Sequence, residues 1–238
     1  MISLSVNINK IATLRNARGH VRPDVQQAAR DIERFGADGI TVHPRPDERH
    51  IRYQDVRELA GILATEFNVE GNPTPDFLAL VRETRPTQVT LVPDAPDALT
   101  SSAGWNTGRH QHYLTDVVAE LHGYGCRVSL FLDPDPALIA SARATGTDRI
   151  ELYTEAYARH YAAGPAAALA PYRATALAAA EADLGLNAGH DLDLENLAYF
   201  AQHIPGLLEV SIGHALVCDA LYLGLENTVQ LYKRALKF

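Results

Sequence analysis

The sequence predicts an α/β protein, a (β/α)8 TIM barrel with additional helices, forming one catalytic domain over residues 1–238. Three observations predict it. First, eight short apolar runs each give way to a polar or glycine-bearing turn. These turns begin Asn7-Ile8-Asn9-Lys10, Val42-His43-Pro44-Arg45, Val69-Glu70-Gly71-Asn72, Leu91-Val92-Pro93-Asp94, Phe131-Leu132-Asp133-Pro134, Ile150-Glu151-Leu152-Tyr153, Asn187-Ala188-Gly189-His190 and Ser211-Ile212-Gly213-His214. Second, the runs are β-branched and separated by helical lengths rather than tight hairpins, which argues for parallel pairing. Third, 238 residues without a Ser/Gly linker or a shift in composition match one barrel of this type. An open doubly wound sheet is the rival. It often carries a glycine-rich phosphate turn after strand one, where this chain has Asn-Ile-Asn-Lys.

Element by element, Ile2–Ile8 is the first predicted strand. A helix follows over Asp24–Phe35, opened by Pro23 and closed by Gly36. Gly39–His43 is strand two with helix Tyr53–Ala64, and Phe67–Glu70 is a short strand three with helix Pro75–Thr84. Gln88–Val92 is strand four. A longer insertion from Pro93 to Thr107 precedes helix His110–Gly123. Strand five is Arg127–Leu132, with helix Ala137–Ala144, and strand six is Arg149–Leu152. The alanine-rich Ala156–Asp183 stretch contains Pro165 and Pro171, which argue against one straight rod. Gly185–Ala188 is strand seven with helix Leu194–Gln202. Leu208–Ile212 is strand eight, and one helix, Asp219–Leu236, closes the chain.

Composition narrows the function classes. A formal charge of −8 disfavours a general nucleic-acid partner. No run approaches the roughly 20 apolar residues that span a bilayer. The start, Met-Ile-Ser-Leu-Ser-Val-Asn, lacks the basic region and long apolar core of a signal peptide, so a cytoplasmic enzyme is expected. Cys126 and Cys218 have no motif spacing and are expected as small buried residues without a disulfide. Metal ligation is not indicated. His43 and His50 are separated by a loop, and His110-x-His112 starts a predicted helix on which the two rings diverge, suiting a surface or assembly role.

In a barrel the C-terminal strand ends face one pocket, so residues far apart in sequence meet there. His43, directly after Ile40-Thr41-Val42, is a poor core filler and a proton exchanger near neutral pH. Arg45 offers a planar fork suited to phosphate or carboxylate, whereas Arg49 and Arg52 suit a solvated loop. Glu70 and Glu151 end their runs and can divide acid and base work if their surroundings move their proton affinities apart. One of them could instead pair structurally with an arginine. The Gly-His steps Gly189-His190 and Gly213-His214 end adjacent strands, where barrels often bind phosphate on backbone N–H groups. The first turn adds Asn7, Asn9 and Lys10, then Arg15 and Arg18. Lysine otherwise occurs only at Lys233 and Lys237, so Lys10 is the pocket's lysine, either an anion donor or a Schiff-base nucleophile.

Three strings resemble the pyridoxine 5′-phosphate synthase family, which closes the ring in one vitamin B6 route. They are Asn7–Gly19, Gly36–His43 and Asn187–His190. The likeness extends through Arg45, Asp47, Arg49-His50-Ile51, Glu70, Leu91–Pro93, Val128–Phe131, Ile150-Glu151 and Ile212–Ala215, in the same order over nearly the whole chain. The resemblance implies condensation of 3-amino-2-oxopropyl phosphate with 1-deoxy-D-xylulose 5-phosphate to pyridoxine 5′-phosphate, with release of phosphate and water and no cofactor. It places His43 and Glu70 as general bases, His190 as proton donor and Glu151 as a stabilising group. It also places Asn7, Arg18, Gly213 and His214 on the aminoketone phosphate, and Arg45, His50 and Thr100 on the sugar phosphate. It implies a homo-oligomer, often an octamer. The chain departs from the family's usual pattern in three places. Asn9-Lys10 stands for Asp-His at positions contacting the sugar phosphate, Asp191 for a glycine beside the proposed phosphate site, and Ser102-Ala103 for Glu-Gly after Thr100. These departures motivate two rival readings: a paralogous barrel acting on another small phosphorylated carbonyl compound, and a lysine-dependent aldolase using Lys10.

Overall fold

A computed structural model of the chain describes residues 1–19, 21–94 and 103–238. Eight parallel strands close into a barrel in sequence order: β1 (Ser3–Asn7), β2 (Gly39–Val42), β3 (Glu66–Gly71), β4 (Gln88–Leu91), β5 (Arg127–Leu132), β6 (Arg149–Tyr153), β7 (Gly185–His190) and β8 (Leu207–Ile212). Closure is made by β8 pairing with β1, with Leu4 opposite Val210 and Val6 opposite Ile212. The predicted fold class is the observed one, and each strand lies within two residues of its predicted end. The differences are informative at β6 and β7, which run on to Tyr153 and His190.

Alternation along the strands sorts side chains into two layers. Leu4, Val6, Ile40, Val42, Val69, Leu91, Leu130, Leu152, Ala188 and Val210 are fully buried beneath the surrounding helices. The alternate positions, Ser5, Thr41, Asn68, Thr90, Ser129, Glu151, Asn187 and Ser211, are buried and polar. Neighbouring members bond across the strands. Ser5 Oγ lies 2.7 Å from Thr41 Oγ1, and Asn68 Nδ2 donates to Thr41 Oγ1 at 3.3 Å. The Thr90 hydroxyl lies 3.2 Å from Asn68 Oδ1 and 3.3 Å from Glu151 Oε2, so its one proton serves one of them at a time. The apolar face therefore holds the helices, and the polar face fills the barrel.

Among the described residues the helices are α1 (Asn9–Asn16), α2 (Val25–Arg34), α3 (Tyr53–Ala60), α4 (Pro75–Thr84), α5 (Thr107–Gly123), α6 (Ile139–Ala144), α7 (Glu155–Tyr161), α8 (Pro165–Glu181), α9 (Leu197–His203), α10 (His214–Leu223) and α11 (Leu225–Ala235). Side-chain caps fix several starts. Asp24 accepts from the Gln27 N–H before α2, Thr74 from Phe77 before α4, and Asn106 from Arg109 before α5. The alanine-rich stretch is two helices, with Pro165 opening α8 and Pro171 inside it.

Four expectations are corrected. The first turn is not an open loop, because Asn9 and Lys10 begin α1. Its buried stripe is Ile8, Ile11, Ala12 and Arg15, and a charged last member hides the helical period. Arg15 is not a pocket donor. It pairs with buried Asp55 at 2.5 Å and donates to the His50 carbonyl, tying α1 to α3. The closing helix is two helices, because Gly224 at φ 78 turns the chain between α10 and α11. Both cysteines are free, but Cys218 is exposed rather than buried.

Candidate active site

The strand ends gather the proposed proton-transfer groups. His43 follows β2 and is buried, and its Nδ1 lies 3.7 Å from Glu70 Oε2 on β3. Asn7, the last residue of β1, donates from Nδ2 to the same Glu70 oxygen at 3.5 Å. The Asn7 amide oxygen accepts the Asn9 N–H at 3.0 Å, and Asn9 Oδ1 accepts the His43 N–H at 2.9 Å. Asn9 therefore ties the start of α1 to the end of β2 and fixes the backbone that carries His43. Lys10, next to it, is exposed, and its charge acts on His50.

Burial and charge separate the proton affinities. His43 is held well below the ordinary histidine value by burial, then by Arg45, His50, Arg49 and His190. Burial pushes Glu70 up to about 7, and Asp94 and Glu209 add to this against His190 and Arg45. Glu151, buried on β6, is driven well above the usual carboxylate range by burial and then by the negative charges of Glu70 and Glu209. For His190, burial acts downward, but the Asp191 hydrogen bond and charge, with Glu70 and Asp94 behind them, bring it above the ordinary histidine value. The site thus combines an imidazole biased toward its neutral form, a carboxyl group that changes charge near neutral pH, a carboxyl group biased toward its protonated acid and an imidazole biased toward its cation. Such separated pairs are what acid–base chemistry requires.

Glycines make the close approaches. A Cβ on Gly189 would lie 2.7 Å from Glu151 Oε1 and from the Ser211 carbonyl oxygen, so only glycine lets β7 pass this near both. A Cβ on Gly213 would lie 3.0 Å from the Asn7 backbone oxygen. Gly213 precedes α10, and exposed His214 is its first residue, so the free N–H groups of that helix start open beside Asn7.

The other predicted residues are less uniform. Arg45 is buried and pairs with Asp94 at 2.7 Å, so part of its fork already serves a carboxylate. Its charge, with Arg49 and Lys10, lowers His50 to about 4 after burial has acted first. His50 Nδ1 accepts the Ile51 N–H at 2.9 Å, and its ring stands edge-on to His43 at 6.3 Å. Arg52 is exposed, as expected of a solvated loop, with a hydrogen bond to Asn16. Arg18 is exposed beyond α1, whose eight residues carry it roughly 12 Å from the strand end. It is not gathered with the pocket groups of its own chain. Thr100 and Ser102 lie outside the described residues. Exposed His112 pairs with Asp116, His110 packs against Trp105, and no group of three or more metal-ligating side chains occurs among the described residues.

Four pocket groups had no role assigned from sequence. Asp94 holds Arg45, and its only signal was its place in the turn after β4. Thr90 reaches Glu151 through the inward register of β4. The Tyr153 ring meets His190 edge-on at 5.4 Å and leans on Phe131 at 5.3 Å. Thr154 donates to the Gly189 carbonyl at 2.6 Å and accepts the Asp191 N–H at 3.3 Å, clamping the end of β7.

With this geometry in place, comparison with known proteins is decisive. The family described as "Pyridoxal phosphate biosynthesis protein PdxJ" matches residues 4–238. The chain belongs to the PdxJ family. Its relatives include the pyridoxine 5′-phosphate synthase of Flavobacterium johnsoniae, 60% identical over all of both chains, and that of Porphyromonas gingivalis, 59% identical over 98% of each. Among solved structures, orotidine 5′-monophosphate decarboxylase from Methanocaldococcus jannaschii superposes over all of both chains with a TM-score of 0.65 and 10% identity. Phosphoribosylanthranilate isomerase from Thermotoga maritima gives 0.63 and 13%, covering all of this chain and 99% of the other. At such identities the structural likeness establishes the barrel alone. Among the described residues, no helix is long and apolar enough to cross a membrane.

Proposed function

We propose that this PdxJ-family chain is a pyridoxine 5′-phosphate synthase, joining 3-amino-2-oxopropyl phosphate to 1-deoxy-D-xylulose 5-phosphate. The observation that carries the proposal is the convergence of His43, Glu70, Glu151 and His190 on one end of the barrel, with their proton affinities pushed apart. The names of relatives at about 60% identity give the product, and the substrate pair is the one that the family resemblance implies.

The groups suit the steps. The amine of one substrate attacks the ketone of the other, and His190 donates a proton to the oxygen that leaves as water. Glu70, poised near neutral and 3.7 Å from neutral His43, removes a carbon-bound proton, and the two can share it. The enamine then expels phosphate, and water adds. An aldol-type closure and the loss of two molecules of water give the aromatic ring, so no redox step is needed. Glu151, kept protonated by burial, donates a hydrogen bond to oxygen as charge develops. Asn7, Gly213 and His214 would hold the aminoketone phosphate at the start of α10. Arg45, His50, Asn9, Lys10 and Thr100 would hold the sugar phosphate, and Arg18 is assigned to the aminoketone phosphate by family position. Lys10 is exposed, whereas an imine-forming lysine is usually desolvated or set beside another cation, which favours the binding role. Exposed Leu221, Tyr222 and Phe238 support assembly into a homo-oligomer, readable by sedimentation.

The test is incubation of purified protein with both substrates and detection of pyridoxine 5′-phosphate by mass. Product and phosphate should appear in equal amounts. No product above a protein-free control would reject the proposal.

A further inference from the structure

The end of β7 holds an unusual arrangement. His190 has φ 101, a left-handed conformation that a side-chain-bearing residue rarely adopts and that persists only where its surroundings enforce it. The enforcement is visible. Thr154 holds the Gly189 carbonyl and the Asp191 N–H, Asn196 Nδ2 donates to the Asp191 carbonyl at 3.4 Å, and Leu192 is fully buried. The result is a short contact between neighbours, with His190 Nδ1 lying 2.6 Å from Asp191 Oδ2.

This contact is not explained by stability. The two side chains are 38% and 36% exposed, and pairs at that exposure contribute little to stability. Its consequence is chemical. A carboxylate only accepts, so Nδ1 carries a proton, and Nε2 is the ring nitrogen left to meet a substrate. We propose that Asp191 is a positioning residue that fixes the tautomer and orientation of His190, keeping a proton on Nδ1 and presenting Nε2 to give a proton to substrate. The catalytic part of this rests on His190 being the proton donor of the proposed reaction.

The surroundings agree. The groups acting on His190 are Asp191 on its own segment, Glu70 from β3, Asp94 after β4, Tyr153 from β6 and His43 after β2. Burial pulls His190 down, and Asp191 supplies the leading upward contributions by hydrogen bond and by charge. His43 has the more distant Glu70 as its carboxylate neighbour, at 3.7 Å, and it moves the other way. A negative charge at position 191 would repel a substrate phosphate if it stood alone. Paired with His190 it is neutralised, which reconciles Asp191 with an anionic ligand nearby.

The experiment compares the parent with Asp191→Asn and Asp191→Glu, each uniformly labelled with nitrogen-15. The His190 imidazole is assigned by its loss in His190→Asn and titrated without substrate. Asp191→Asn should lower the His190 midpoint by about one pH unit or more, since an opposite charge at this range moves a group by roughly 1 to 3. It should also raise the fraction of ring protonated at Nε2 in the neutral form. Asp191→Glu should restore part of both. In turnover, the alkaline limb of kcat should move down with the midpoint in Asp191→Asn, with KM for both substrates changing less. An unchanged midpoint and tautomer ratio in Asp191→Asn would overturn the inference. So would a rise in KM with no movement of the alkaline limb, which would make Asp191 a substrate contact. The titration needs no substrate. A parent that makes no pyridoxine 5′-phosphate would reject the proposed function, while the resonances would still decide whether Asp191 positions His190.

Discussion

His43 and His190 carry the same ring and are driven in opposite directions, so one can take a proton while the other gives one. His190→Asn should fold and lose about 10²- to 10⁴-fold in kcat, the usual contribution of a placed acid. His43→Asn should show a loss of the same order. Steady-state kinetics with circular dichroism checks both, and values within threefold of the parent would remove either residue from its role. Lys10 makes a contrasting case, because it is exposed at the rim and acts on His50. Lys10→Met should raise KM for the sugar phosphate more than it lowers kcat, as removal of uniform binding does. Borohydride during turnover should leave no substrate-sized mass on Lys10, and a reduced adduct there would restore the aldolase reading. At this scale the sequence was legible wherever a polar residue ended an apolar run, as at His43, Glu70 and His190. Asp94 and Thr90 were not legible, because their importance lies in what they touch across strands. Arg15 misled because an arginine near a pocket suggests an anion, and only its contact with Asp55 reveals a brace.

Strand-to-helix junctions set the reach of these groups. Gly213 passes beside Asn7 and leads straight into α10, leaving the first N–H groups of that helix for an anion. A methyl group there would sit 3.0 Å from the Asn7 backbone oxygen, so the junction must shift by a few tenths of an ångström. A hydrogen bond to a charged group is worth about 1.5–3 kcal/mol. Gly213→Ala should therefore raise KM for the aminoketone phosphate roughly tenfold or more, with a smaller effect on the sugar phosphate. Equal effects on both substrates would place the phosphate elsewhere. The existence of the strands was readable because the outward set is uniformly apolar, with valine and isoleucine among its leucines. Their extents were less readable at β6 and β7, where Tyr153, Gly189 and His190 continue the ladder with residues that look like turn formers. Gly224 shows the converse, since one glycine in an apolar helical pattern is compatible with continuity, and only its φ of 78 separates α10 from α11.

Over the whole molecule, the closed barrel brings ionisable residues from distant strands into one enclosed interior. Parallel strands buried on both faces ordinarily carry near-continuous apolar runs, yet here most of the inward positions are polar. That alternation was present in the sequence, but closure is what makes both faces interior. Glu209 on β8 shows the cost. It is buried, 3.2 Å from Arg149 and hydrogen-bonded by Gln88, and burial still pushes it up to about 7 ahead of the opposing effect of Arg149. The unfolded chain releases that proton near the ordinary value of 4.5. Between these two values the folded state binds more protons, so this contribution to stability is fully present below about 4.5 and is lost as pH rises through about 7. Glutamine resembles the protonated acid and does not titrate. Urea unfolding of the parent and Glu209→Gln at pH 5 and pH 8 should therefore show a smaller loss on going to pH 8 in the variant, by roughly 2 to 3 kcal/mol. The comparison is a difference of differences, in which Glu70 and Glu151 cancel apart from the share of their upward shift that the Glu209 charge supplies. If both proteins lose the same stability between the two pH values, Glu209 ionises in the fold as easily as in the unfolded chain. Its ion pairs with Arg149 and Arg127 would then fully offset its burial.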